Sequence, residues 1–461
     1  MSDYDIAAET EDQATLARLA KESKSEDVRR LAIRRLEDQT LLTDVVETAK
    51  DPRIRLFAAT RLEDQEALGR LALSDGDSEV RAAATYQLEN QDIIVRVAKT
   101  DLDPRARIAA ASKLTRQAPL TELALSDPDP WVRVAATQRL TNQKTLSRIA
   151  QSDETAELRA IATGKLKDQK LLQSFALDDK DPGVRRAATY GLSDQKTLKQ
   201  IALADSDAHV REAAAEKVED QRVLVRLATQ DLDESVRGKA ISRLSDQKTL
   251  ERVALSDPQD YLRLDAVECL SDQAAIARLV TKSLDPDVRD AAAEKVEDQR
   301  VLVRLAMKDP DPQVRLVATG CVTDDKILNF LATTDRDPDV RHAAIKRVTD
   351  DKILANEAAD KKAPFYARQE AIFKTKDQAV LTSIALEDGD WTTRRIAVQN
   401  LEDKELLGKI VQEDDDMQVR NAAQRRLDKL QPRLSDLDEL QAPPSTQEPA
   451  NQEGPDLGEI D

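Results

Sequence analysis

The chain reads as an all-α protein, an α–α superhelix or solenoid of about sixteen helical hairpins of 26 residues each. Three observations predict this. The stretch AAAEKVEDQRVLVRLA stands at residues 213–228 and again, unchanged, at 291–306, which is 78 positions or three periods of 26 away. An arginine recurs every 26 residues from Arg29 to Arg341 and, after one inserted residue, at Arg368, Arg394 and Arg420. Aromatics make up only 3% of the 461 residues and charged residues 34%, so Ala, Leu, Val and Ile must supply the burial, a composition suited to short helices packed closely. A block of three repeats can be copied whole only in a modular array, where each unit contacts its neighbours alone.

Each repeat opens with a helix-start signal. Four residues before the arginine stands Asp in twelve rows, such as Asp51, Asp129 and Asp311, and Ser25 or Thr155 in two more. Pro follows in seven rows, including Pro52, Pro130 and Pro312. The carboxylate accepts from an otherwise orphaned amide, and Pro has no amide to orphan. Helix A therefore begins there. Its apolar positions fall just before the arginine and three and seven residues after it, on one face of a 3.6-residue helix. The position three after is Ala in all sixteen rows, from Ala32 through Ala214 to Ala423, which predicts a neighbouring helix too close for any larger side chain.

A second start signal lies nine and ten residues after the arginine, where Asp-Gln recurs, as in Asp38 and Gln39 or Asp220 and Gln221. Counted from Asp12 in the half-repeat that precedes the first arginine, the first of this pair is Asp or Asn in fifteen of sixteen instances, Arg116 being the exception. It caps a helix B of roughly two to three turns, whose apolar residues follow at spacings such as Leu146, Ile149 and Ala150. A hairpin this small cannot bury its own apolar face, so stacking must supply the core.

Rows such as DPDPWVRVAATQRLTNQKTLSRIA resemble HEAT-like repeats, in particular the DPxVRxAA variety of the phycobilin-lyase-type group. The short period and the closing LxxLA are also similar to leucine-rich-repeat variants, although the proline-rich turn of that family is replaced here by Asp-Gln. The resemblance implies an armadillo-type superhelix and a binding framework, and it names no chemistry. The expected organisation is a half-repeat cap at residues 1–25, a solenoid over 25–430 and a disordered acidic tail over 431–461.

The repeated arginine sits in the first turn of helix A, where a cation opposes the helix dipole, so local propensity does not account for it. No row replaces it by Lys. The planar fork is therefore expected to bridge an Asp and a carbonyl of the adjacent repeat, a structural ladder typified by Arg133, Arg185, Arg211, Arg237, Arg289 and Arg315. Further cations recur six residues after the arginine (Arg35, Arg61, Lys113, Arg139, Lys217, Lys295) and along helix B (Arg70, Arg96, Arg226, Arg252, Arg304). They read as a solvated face or as a basic stripe for an acidic partner.

One row departs from its neighbours. Residues 355–376 hold the insertion, lack the cap Asp and bring Phe365, Tyr366 and Phe373 together, with Trp391 and Phe330 in the flanking rows, so that five of twelve aromatics fall within 330–391. They either fill an irregular turn or anchor a protein partner. Beyond the array, residues 432–461 carry five prolines, eight acids and one arginine, a composition that does not support a core. Leu434, Leu437 and Leu440 recur there every third residue, as in a short docking element or a segment folding back on basic side chains.

No catalytic, cofactor or metal site emerges. His209 and His342 stand alone, Cys269 and Cys321 occupy one equivalent repeat position suited to packing, and no glycine-rich phosphate loop or nucleophile elbow is present. The net charge of −18 weighs against nucleic acid and anionic membrane as general partners. The N-terminal MSDYDIAAETEDQ has neither the basic nor the apolar region of an export signal, which places the expected location in the cytoplasm. The expected function is that of a non-enzymatic, monomeric scaffold or adaptor for protein partners of unknown identity. The alternatives are a HEAT-like nucleic-acid binder using the Arg and Lys stripes, and a chaperone of the chromophore-lyase kind.

Overall fold

The computed structural model describes residues 2–430. Leu434, Leu437, Leu440 and the acidic segment around them lie outside the described residues. Among those described, thirty-three α-helices and no strand occur, and they alternate as the A and B helices of hairpins. The protein is thus an all-α repeat protein of the helical-solenoid class. Contacts divide it into two units, residues 1–253 with 257–269, and 254–256 with 270 onward.

Local chemistry sets each boundary. In the Arg107 repeat, Asp103 Oδ1 accepts from the Arg105 amide and Pro104 takes the first helical position, so the A helix spans Pro104–Lys113. It ends where the Leu114 amide closes onto Ala110 and the next cap begins the B helix, Gln117–Ser126. Arg116 stands at that second cap and accepts no amide bond. The B helices are α throughout and run ten residues, or nine in Asp351–Ala359.

The invariant alanines explain the packing. Every one of the sixteen, from Ala32 to Ala423, is fully buried, and within each unit consecutive A helices pack across them more closely than consecutive B helices do. Leu146, Ile149 and Ala150, which the spacing assigns to the inner face of a B helix, are buried as well. At the N-terminus two helices, Asp3–Glu9 and Gln13–Glu22, form a first hairpin, opened by a reciprocal cap between Ser2 and Asp5.

Candidate functional site

Three sets of side chains join one repeat to the next, and together they decide which polar groups remain free for a partner. The first is the arginine. Arg81 donates from Nε and Nη2 to the two carboxylate oxygens of Asp101, twenty residues on, at 2.7 and 2.8 Å. Its Nη1 donates to the carbonyl of Asp75, six residues back, at 2.9 Å. The same arrangement holds for Arg185 with Asp205, Arg211 with Asp231, Arg237 with Asp257, Arg289 with Asp309 and Arg315 with Asp335, at 2.8–3.1 Å.

The carboxylate partner is the first Asp of the Asp-x-Asp loop between repeats, two residues before the N-cap, and it occupies that place in twelve of sixteen rows. Asp101 also accepts from the Asp103 amide through Oδ1, while its carbonyl accepts from Arg107. One loop is thereby held by the arginines on both sides. Burial pushes the Asp101 carboxyl up, but the Arg81 fork and the Asp103 amide outweigh it and hold it below the usual carboxylate range. Arg81 in turn is raised by its bonds to Asp101.

At three junctions the arginine has a poorer set of acceptors. Arg29 reaches Asp51, because Ala49 occupies the loop position. Arg133 meets Asp153 only at 3.4 Å. Arg341 faces Lys361 in register and takes Glu357 instead, at 3.4 Å. In all three cases Nε is buried without a hydrogen-bond partner. Glu357 stands where every other repeat has an apolar B-helix residue, such as Ile149 or Leu331. It is 5% exposed, and burial raises its carboxyl above the usual range despite Arg341.

The second set is the glutamine of Asp-Gln, whose part beyond the cap the sequence reading missed. Gln195 Nε2 donates to the Lys217 carbonyl at 3.1 Å and its Oε1 accepts from the Glu219 amide at 3.0 Å, so one amide clasps the interhelix turn of the next repeat. Gln39, Gln91, Gln143 and Gln299 repeat this clasp. The signal was available: Gln fills the position in thirteen of sixteen rows, more often than a neutral first-turn residue requires.

The third set is drawn from the cations six residues after the arginine, of which Arg61 and Arg139 are exposed and Arg35 and Lys217 half-buried. Arg35, Arg61, Arg139 and Lys217 donate to the backbone carbonyls of Ala7, Leu36, Leu114 and Tyr190, at the end of the preceding A helix. A cation there complements the carbonyl end of a helix. Arg70 on a B helix is likewise engaged, with Glu47 and Glu66.

What remains is the irregular row. The insertion moves the carbonyl used by Arg368 to Ala358, ten residues back, and Pro364 provides no side-chain cap for the helix Phe365–Lys374. Phe365 and Tyr366 take its first turn, edge to face at 5.4 Å, with His342 of the preceding A helix 6.1 Å from Tyr366. Trp391 holds the equivalent first position of the next A helix, with Arg395 5.8 Å over its ring. These aromatics do not fill the irregular turn: Phe365 is 52%, Tyr366 64% and Trp391 41% exposed. Phe373 is also exposed but lies toward the other end of its helix, in a groove shared with Arg395, and Phe330 sits apart on a B helix beside Met307.

Cys269 and Cys321 are free thiols, and among the described residues no group of three or more His, Cys, Asp or Glu is arranged to hold a metal ion. No helix of the described residues is long and apolar enough to cross a membrane.

No family model and no curated protein matches the chain. Among solved structures it is similar to Kap95p bound to RanGDP, at 13% identity and a TM-score of 0.37 over 93% of this chain and 67% of that one. It is also similar to a chain in a homology model of the full-length AP-3 complex in an intermediate open conformation, at 13% identity and a TM-score of 0.34 over 95% of this chain and 94% of that one. A third likeness is to the S. pombe condensin Cnd3–Cnd2 subcomplex, at 14% identity and a TM-score of 0.25 over 91% and 77%. Neither a partner nor an activity carries over to this chain from likenesses of this order.

Proposed function

We propose that the protein is a non-enzymatic scaffold or adaptor that docks a protein partner on the A-helix edge carrying Phe365, Tyr366 and Trp391. The observation that supports this is the exposure of those rings in a chain with twelve aromatics in all. Large rings left in water next to a cation, here Arg395, have the composition of interface hot spots. Many of the repeat-to-repeat polar groups are committed to one another, as in the pairs Arg315 with Asp335 and Arg394 with Asp414, whereas these rings face water.

The test is affinity capture from the native host with the full chain and with a Phe365→Ala, Tyr366→Ala variant. A protein retained by the native chain and lost by the variant, with the thermal melt unchanged, is the expected result. An identical set of retained proteins would remove the aromatic edge from the account.

A further inference from the structure

The groove around Phe373 differs from every other cleft described in this unit. It occupies about 400 Å³ on the A-helix face of the last repeats, and its charged lining consists of Arg395, Arg425, Arg426 and Lys429 with no carboxylate. Other clefts of the unit contain carboxylates: one is acidic, with Glu387, Asp388, Glu413, Asp414 and Asp415 around Arg394 and Lys409, and another is balanced, with Asp309, Asp335 and Asp337 against Lys308, Arg315 and Arg336. In a protein with eighteen more acids than bases, a groove with only cations is a local inversion of sign.

Two of these cations are unpaired, unlike those of the ladders. Among the described residues Arg425 and Lys429 have no carboxylate partner, while Arg426 donates from Nε to the Leu401 carbonyl and Arg395 stands over the Trp391 ring. Phe373 supplies an exposed apolar wall. The groove has the chemistry of a receptor for an acidic segment interleaved with apolar side chains.

Such a segment follows at once in the chain. The last helix, Met417–Leu430, ends one residue past Lys429, and residues 432–461 carry eight acids against one arginine. Asp436, Asp438 and Glu439 alternate with Leu434, Leu437 and Leu440. They lie six to nine residues beyond Leu430, a tether that extends at most roughly 20–30 Å and holds the acids at an effective concentration on the order of millimolar. We infer that the groove is a docking site for an acidic peptide and that its occupant is this chain's own segment, with Asp436, Asp438 and Glu439 meeting Arg395, Arg425 and Lys429 and a leucine meeting Phe373. The inference does not depend on the Phe365 and Tyr366 edge, although the groove shares Arg395 with it.

The experiment uses full-length chains and a fluorescent peptide of residues 432–461, read by anisotropy at low and high salt. A chain with Asp436→Asn, Asp438→Asn and Glu439→Gln is expected to bind the peptide at least about tenfold more tightly than the native chain, whose groove is already filled. Adding Arg425→Glu is expected to abolish that gain, and added salt to weaken it, with the melting curve confirming the fold. Equal binding by native and neutralised chains would overturn the assignment of the occupant, and absence of salt-sensitive binding to either would overturn the site. A native dimer in sedimentation that the neutralising substitutions dissociate would instead make the occupant a second copy, which also overturns the assignment.

Discussion

Arg211 and Asp231 are joined by two bonds, Nε to Oδ2 at 2.9 Å and Nη2 to Oδ1 at 2.8 Å, while the remaining Nη1 donates to the Asp205 carbonyl at 2.9 Å. All three acceptors lie in the loops on either side of one hairpin, made of the helices Ala208–Ala215 and Gln221–Gln230, so a single planar group spans two repeat junctions. Side-chain exposure is 15% for Arg211 and 7% for Asp231, so water replaces these bonds poorly.

Arg211→Lys keeps the charge and loses the fork. It is expected to lower stability by about 1–3 kcal/mol, since one ammonium cannot reach both junctions. Lys217→Ala removes one bond to the Tyr190 carbonyl at a helix end and is expected to cost about 0.5–1 kcal/mol. Equal midpoints for the two variants in urea titration would refute the difference.

Ala49→Asp restores the loop carboxylate that the Arg29 junction lacks. Ala49 occupies the position of Asp75 and Asp101, and Arg29 Nε is left buried without a partner. The substitution is expected to raise stability by about 1 kcal/mol, measured by calorimetry or urea. The gain should vanish in an Arg29→Ala background, and a gain that persists there would have another origin.

Gln195→Ala opens the clasp on the Lys217 carbonyl and Glu219 amide. Water can reach part of this turn, so the expected cost is modest, about 1 kcal/mol. Faster hydrogen exchange at the Glu219 amide, with little change in distant repeats, is the specific readout. Uniform exchange across the array would count against a local clasp.

Acid should loosen the array. Asp75, Asp101, Asp179, Asp231 and Asp414 are pushed up by burial but held below the usual carboxylate range by their arginines and loop amides. A carboxyl lowered in the folded state contributes stability that is complete above its unfolded pKa of about 3.9 and lost as pH falls through the folded value. Glu357, Asp265 and Asp290 are raised, chiefly by burial, and act in the opposite direction, their penalty being relieved on protonation. The ladder carboxylates are the more numerous set, so the urea midpoint is expected to fall as pH drops below about 4, and Asp231→Asn should flatten that slope. A midpoint that rises on acidification would contradict this balance.

Much of the architecture was legible in one dimension, and particular residues show where legibility stopped. The sixteen alanines announced close helix packing, and each is buried as that spacing requires. The arginine column announced a bridge because its position was wrong for a helix start. The clasping glutamines went unnoticed, since a side chain next to a cap is readily assigned to the cap and its acceptors lie twenty-two and twenty-four residues away. Glu357 could have been found as an acid in an apolar column, but only the fold shows that it stands in for the Asp absent at Lys361.

By itself, then, the sequence determined period, helix boundaries and buried faces, because caps, prolines and 3.6-residue spacing act within a few residues of chain. Which loop Asp each arginine takes, which cations end on carbonyls rather than in water, and which aromatics stay exposed were decided by the stacking of hairpins. Those contacts join residues a full repeat apart, and their geometry depends on how closely the alanines let neighbouring helices approach.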